Sequence, residues 1–182
     1  MSYKTVEWKR VLNDFNGKTV YKNKWFSIVK RDSFYSLEYL VPQVVILPIV
    51  EDSVLMVKVK RHLINDETWE LPAGGGLDSE APVEAARREL EEETGIHIKE
   101  LSRFQDLHII SEIPGRSTEL LLSFMIKISR DEFSGRHKCD DPEITNMRLF
   151  SIDELKKAMV EGILYLSSPI AIISRYIFEN NL

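Results

Sequence analysis

The apolar positions of the chain fall into two regimes, with a boundary near residue 42. Before it, aromatic residues are scattered among charged ones: Tyr3, Trp8, Phe15, Tyr21, Trp25, Phe26, Phe34, Tyr35 and Tyr39. Asn16-Gly17 is a strong hairpin-turn pair, because both residue types tolerate positive φ. Trp25 to Arg31 reads as a strand. Residues 1–41 therefore predict a small antiparallel β-subdomain, too small for a core of its own, packed on the main body or on a second subunit. After the boundary the apolar runs become continuous. Val44 to Val50 is apolar throughout, as a strand buried on both faces requires. Glu51-Asp52-Ser53 turns the chain, and Val54 to Val59 supplies the second arm of a hairpin. Thr68 to Leu71 is a short strand that runs into a turn at Pro72-Ala73-Gly74-Gly75-Gly76.

Helical spacing then takes over. A helix is predicted from Pro82 to Thr94. Proline suits a first helical position, where its missing N–H has no partner to lose. Gly95 stops the helix as a left-handed cap. Leu107 to Ile110 and Leu120 to Ile128 read as strands, Phe133 to Glu143 as a polar loop, and Met147 to Phe150 as a short strand. Ser151-Ile152-Asp153-Glu154 opens a helix to about Val160. The last helix begins near Ser168-Pro169, with Ile170, Ile173 and Ile177 as its core-facing stripe. Strands alternating with helices in this order predict a layered α/β fold over residues 42–182.

Composition narrows the functions available. The chain has 182 residues, enough for about one domain and an appendage. It carries 24 basic and 29 acidic side chains, a net charge of −5. That balance argues against a sequence-independent nucleic-acid binder, which needs a basic surface to release counterions. It leaves room for a small anionic ligand if a metal ion carries the positive charge. No apolar stretch is long enough to span a membrane, and the N-terminus has no apolar signal core. A lone cysteine, Cys139, forms no disulfide within the chain. A cytoplasmic protein is the expectation.

The Pro82–Thr94 helix concentrates the acidity. At about 100° per residue, Glu92 lies near −60° and Glu93 near +40° from Glu89, so the three carboxylates share one face. Like charges on one face repel. A hard divalent cation held by carboxylate oxygens offsets that repulsion, and Mg²⁺ or Mn²⁺ suits the donor type. An arbitrary Glu-rich helix is more often a solvated face. Here the helix follows a glycine-rich turn, and the spacing from Gly74 through Glu80, Arg88-Glu89-Leu90 and Glu92-Glu93 to Gly95-Ile96 resembles the box of the Nudix hydrolases at every fixed position.

The resemblance implies an α/β/α sandwich around a mixed β-sheet, with residues 1–41 as an N-terminal antiparallel β-extension. It implies Mg²⁺, with Mn²⁺ possible, held by Glu89, Glu92 and Glu93 and by the carbonyl of Ala73. Arg88 would orient these carboxylates, Glu80 would anchor the loop to the helix or lie in the outer metal shell, and Gly74 and Gly95 would be backbone requirements. The reaction implied is hydrolysis of a nucleoside diphosphate linked to another group, with Glu92 and Glu93 in the catalytic machinery.

Flanking residues are similar to the ADP-ribose and nucleotide-sugar pyrophosphatase subgroup. Trp69-Glu70-Leu71-Pro72-Ala73-Gly74 resembles its lead-in, which makes Glu70 a substrate-binding candidate. Val57 to Arg61 resembles a strand ending in a substrate-binding arginine, Arg61. Ser111 to Glu119 is similar to a Ser-Pro-Gly segment followed by a glutamate, with Glu112 and Ile113 standing between Ser111 and Pro114 and Glu119 as the candidate contact. Trp25 and Phe26 are candidates to stack a base. The resemblance also implies a homodimer with the N-terminal segment exchanged between subunits, and a loop carboxylate as general base. Asp140, Asp141 and Glu143 lie in such a loop, and Glu143 is the choice. Two other readings stay open: a nucleoside triphosphate pyrophosphohydrolase, against which the N-terminal extension counts, and a non-catalytic nucleotide-sugar-binding regulator, against which the intact Glu89, Glu92 and Glu93 count.

Overall fold

The computed structural model describes residues 17–139 and 141–182. Tyr3, Trp8, Phe15, the Asn16 half of the expected turn, and Asp140 lie outside the described residues. Three strands, β1 (Lys18–Lys22), β2 (Phe26–Arg31) and β3 (Phe34–Tyr39), form an antiparallel sheet in that order. Asp32 carries the β2–β3 turn at a φ of 49°, a conformation that aspartate tolerates better than most residues. This sheet is tied to the rest of the chain at Leu37. The Leu37 N–H donates to the Arg116 carbonyl at 2.8 Å, and the Ser117 hydroxyl donates to the Leu37 carbonyl at 3.2 Å.

The main body follows as β4 (Gln43–Val50), β5 (Ser53–Arg61), β6 (Asp66–Glu70), β7 (Ala73–Gly75), α1 (Pro82–Thr94), β8 (Gln105–Asp106), β9 (Leu122–Ile128), α2 (Arg130–Ser134), β10 (Ile144–Ser151), α3 (Ile152–Val160) and α4 (Ser167–Asn180). The sheet runs β10-β5-β4-β9-β8, with β6 added to β5 and β7 to β4. β4 and β9 are parallel and the remaining pairs antiparallel, so the sheet is mixed. The period-two pleat of β4 sorts its side chains between two layers. Val44, Ile46 and Val50 pack with Ala85, Ala86 and Leu90 of α1. Val45, Leu47 and Ile49 pack with Leu155 of α3 and Ile172 and Ile173 of α4. The result is an α/β/α sandwich with a three-stranded antiparallel extension.

The expected hairpin of β4 and β5 forms but is short, and the structure departs from the sequence reading in three further places. The expected hairpin of β4 and β5 pairs only at Ile49–Val54 and Val50–Ser53. Pairing ends at Pro48, which has no N–H to donate. Beyond it the two strands separate, and β6 and β7 fill the space between them. The glycine turn is consequently strand in part: Ala73, Gly74 and Gly75 pair with Val45, Val44 and Gln43. The strand expected at Leu107–Ile110 is displaced to Gln105–Asp106, with a single bridge from Ile110 to Leu121. The polar stretch expected as loop from Phe133 begins inside α2, whose Ser129 cap accepts from the Glu132 N–H while Glu132 reaches back to the Ser129 N–H. Among the described residues no helix is long and apolar enough to cross a membrane.

Candidate active site

The site forms where β4 and β5 part. α1 presents Glu89, Glu92 and Glu93 beside the β6–β7 segment threaded through that gap. Gly74 allows the contact. A Cβ built on it would stand 2.3 Å from the Glu89 carboxyl carbon, so only glycine lets the carboxylate lie against the strand. The helix start is tied by Glu84, whose carboxylate accepts the Ala81 N–H at 3.0 Å, with Pro82 at the first position. The helix end is Gly95 at a φ of 71°, and a Cβ there would meet the His137 carbonyl oxygen at 2.1 Å. Gly95 is therefore required twice, by its own conformation and by the segment packed on it.

Arg88 organises the carboxylates. Its Nη1 donates to Glu89 at 2.8 Å and to Glu92 at 2.9 Å, and its Nη2 donates to the Gly75 carbonyl at 2.8 Å. Both Glu80 oxygens accept from Arg88 at 3.1 Å, and one also accepts the Leu77 N–H at 2.8 Å. Burial works against the charged guanidinium, but Glu80, Glu89 and Glu92 outweigh it and raise its pKa. Glu80 thus links the loop to the helix through Arg88.

Glu93 is compensated least. It is buried, and its carboxylate accepts the Ala73 N–H at 3.2 Å. Burial, then the neighbouring Glu89 charge, push it up to about 9 against that hydrogen bond. Burial likewise raises Glu89, with Arg88 opposing. Two acids whose pKa burial raises mark a place deficient in positive charge. A hydrated Mg²⁺-type ion takes one or two carboxylates and keeps several waters. The donor set of Glu89, Glu92, Glu93 and the Ala73 backbone is all hard oxygen and fits such a group.

A cleft of about 430 Å³ opens from Ala73 and Gly74 and is lined also by Arg61, Glu70, Tyr39, Glu119 and the N-terminus of α4 at Leu166–Ser168. Arg61 at the end of β5 and Glu70 at the end of β6, whose register partners are Asp66 and Val57, make a bidentate pair through their side chains: Nε to Oε1 at 2.7 Å and Nη2 to Oε2 at 2.8 Å. The Thr68 hydroxyl donates to the same Glu70 carboxylate. Hydrogen bonding to Glu70 raises the Arg61 pKa. The Arg61 Nη1 lies 3.8 Å from Glu143, whose carbonyl in turn accepts the Lys60 N–H at 2.9 Å. Glu119 is half-buried, its Oε1 has no hydrogen-bond donor among the described residues, and burial with the Glu112 charge pushes it up to about 8.

The fold therefore brings together Glu89, Glu92, Glu93, Ala73, Gly74, Glu80 and Arg88 on one side, and Arg61, Glu70, Glu119 and Glu143 on the other. It does not bring Trp25 or Phe26 into this cleft. Trp25 is 60% exposed with Lys24 Nζ 4.3 Å from its ring, and Phe26 packs on Tyr21. Leu37 and Tyr39 line the cleft from the N-terminal sheet instead. Tyr39, Thr68 and the N-terminus of α4 at Leu166–Ser168 were not expected at the site, and nothing local in the sequence marks them.

An acidic helix clasped to a glycine strand by one arginine, on an α/β/α sandwich, defines a class. Residues 40–166 match the family model of the NUDIX domain, and the chain belongs to the Nudix hydrolase family. Members of this family generally use divalent metal ions. A crystal structure titled as an ADP compounds hydrolase is similar in fold, with a TM-score of 0.67, 15% identity, and coverage of 91% of this chain and 93% of that one. No curated protein matches the chain in sequence.

Proposed function

We propose that the chain hydrolyses the pyrophosphate bond of ADP-ribose or a related nucleoside diphosphate sugar, with Mg²⁺, giving a nucleoside monophosphate and a sugar phosphate. The observation that carries this is the shared cleft: the carboxylate end at Ala73–Gly74 and the Arg61–Glu70 pair open into the same 430 Å³ space as Tyr39 and Glu119. That volume lies in the range that small-molecule ligands occupy. The similar structure is itself titled a hydrolase of ADP compounds, and its likeness covers 91% of this chain.

Glu89, Glu92, Glu93 and the Ala73 carbonyl would hold the ion, which supplies charge neutralisation at the diphosphate and a more acidic water. Arg61, whose Nε and Nη2 are committed to Glu70 and whose Nη1 lies 3.8 Å from Glu143, would turn Nη1 to a phosphate oxygen. Glu143 takes the proton from the attacking water as the water oxygen bonds to phosphorus and the bridging P–O bond breaks. Glu119 accepts a hydrogen bond from a hydroxyl of the sugar, which its unpartnered Oε1 favours.

Residues 1–41 would join two copies. Val20, Tyr21, Trp25, Phe34 and Tyr35 are about half exposed or more on a small sheet, a patch that a second subunit would cover. Trp25 or Phe26 would then meet a base only across that dimer. Sedimentation of the full chain tests it: a dimer is expected, and a monomer refutes it. The substrate reading is tested with Mg²⁺ and a panel of ADP-ribose, UDP- and GDP-sugars, NADH, dinucleoside polyphosphates and nucleoside triphosphates, with products identified by mass. A nucleoside diphosphate sugar should give the highest kcat/KM. A triphosphate turned over tenfold faster than any of them overturns the assignment.

A further inference from the structure

A second cavity, of about 250 Å³, lies between α4 and the β8–β9 edge of the sheet. It is separate from the substrate cleft. Ser168 lines the cleft and Arg175 the cavity, about 10 Å apart along the helix axis at 1.5 Å per residue. The cavity is lined by the apolar side chains of Leu107, Met125 and Ile172, by the donors Gln105 and Arg175, and by Glu179. Arg175 is only partly exposed, and among the described residues it has no ion pair, hydrogen bond or ring contact. Glu179, one turn further along and placed by spacing to pair with it, is instead 3.6 Å from His108 Nε2.

A partly desolvated guanidinium beside apolar walls is costly unless an anion meets it. Its planar fork suits a carboxylate, which it can bind through two parallel hydrogen bonds. Three aliphatic and thioether side chains beside it suit an apolar body. The volume is below the usual range for drug-sized ligands, so the body is compact. Glu179 lines the same cavity, so a monoanion at the Arg175 fork is better tolerated than a phosphate dianion, which would add a second negative charge beside that carboxylate. We propose that this cavity is a binding site for a small carboxylate with a compact apolar body, held by Arg175 and seated on Leu107, Met125 and Ile172.

The test uses the full chain and three probes: benzoate, its neutral isostere benzamide, and inorganic phosphate, with binding followed by calorimetry. Benzoate is expected to bind saturably, benzamide and phosphate at least tenfold more weakly. Arg175→Gln should weaken benzoate at least tenfold, and Arg175→Lys, which keeps the charge and loses the fork, by less. Arg61→Ala should leave it unchanged, which separates this cavity from the cation of the substrate cleft. Non-saturable benzoate binding overturns the proposal. So does equal affinity in wild type and both Arg175 variants, phosphate binding tighter than benzoate, or loss of benzoate binding in Arg61→Ala. Melting temperatures report whether each variant is folded, and Arg175→Lys carries the comparison if Arg175→Gln is not.

Discussion

Gly74→Ala separates a steric requirement from a conformational one. Gly74 sits in a strand pairing with Val44, and its backbone is not in the left-handed region, so alanine is tolerated by the main chain itself. The obstacle is the Glu89 carboxyl group, whose carbon and two oxygens would lie 2.3, 2.5 and 2.4 Å from the new methyl carbon. Ordinary contact begins near 3.4 Å, so the carboxylate must retreat by about 1 Å. A displacement of about 1 Å in a group that positions reacting atoms costs about 10²-fold in rate, equivalent to about 2.7 kcal/mol of barrier. The retreat also loosens the 2.8 Å hydrogen bond from Arg88, though Glu80, Glu92 and the Gly75 carbonyl still hold that guanidinium. The folding cost should therefore stay near the low end for a charged hydrogen bond, about 1.5 kcal/mol. The assay is kcat/KM for the best nucleoside diphosphate sugar at saturating Mg²⁺, with melting temperature alongside. Gly76→Ala is the internal control, since its Cβ would make ordinary contacts at 3.4–3.5 Å with Pro42. Gly74→Ala at wild-type kcat/KM, or an equal loss in Gly76→Ala, would falsify the steric reasoning.

Other outcomes follow from the same geometry. Glu92→Gln and Glu93→Gln should each lower Mg²⁺-dependent turnover by about two orders of magnitude; near-normal turnover in both removes them from the site. Gly95→Ala places a Cβ 2.1 Å from the His137 carbonyl oxygen at a φ of 71°, and should destabilise the fold by at least 1–3 kcal/mol in the strain alone, about that of a forced left-handed residue, read as a lower denaturant midpoint. Glu119, pushed up to about 8, stays protonated in the folded chain at pH values where the unfolded chain has ionised it. The folded state then binds the extra proton, so this group's contribution is full below its unfolded pKa and is lost as pH rises through about 8. Glu119→Gln should accordingly raise the melting temperature relative to wild type more at pH 8.5 than at pH 5; a pH-independent difference contradicts the burial argument.

What could be read without the structure has a common physical basis in short range. The three-carboxylate face follows from the i, i+3, i+4 geometry of any α-helix, and the ends of α1 follow from Pro82 and Gly95. The buried strand β4 was legible as an unbroken apolar run. α2 was legible too, in the Ser129–Glu132 capping pair, but its surrounding polarity outweighed that cue. The hairpin of β4 and β5 was legible too, though not its shortness, which follows from the backbone because Pro48 has no N–H to continue the pairing.

The substrate end was legible only through the family resemblance, which named Arg61, Glu70 and Glu119 as candidates. The register of β5 and β6 sets Arg61 opposite Asp66 and Glu70 opposite Val57, so the Arg61–Glu70 pair depends on side-chain reach, and Gly74 is required because Glu89 folds back onto it. Tyr39, Glu119 and the N-terminus of α4 at Leu166–Ser168 come from segments more than a hundred residues apart at the extremes and share no local pattern. By itself the sequence determined the helix, its caps, the charge on one face and the alternating layers, since each depends on neighbours within a turn or a pleat. Only the tertiary structure decided which loops face that helix. Their positions depend on how two apolar layers pack across the sheet, a sum over the whole chain that no local spacing encodes.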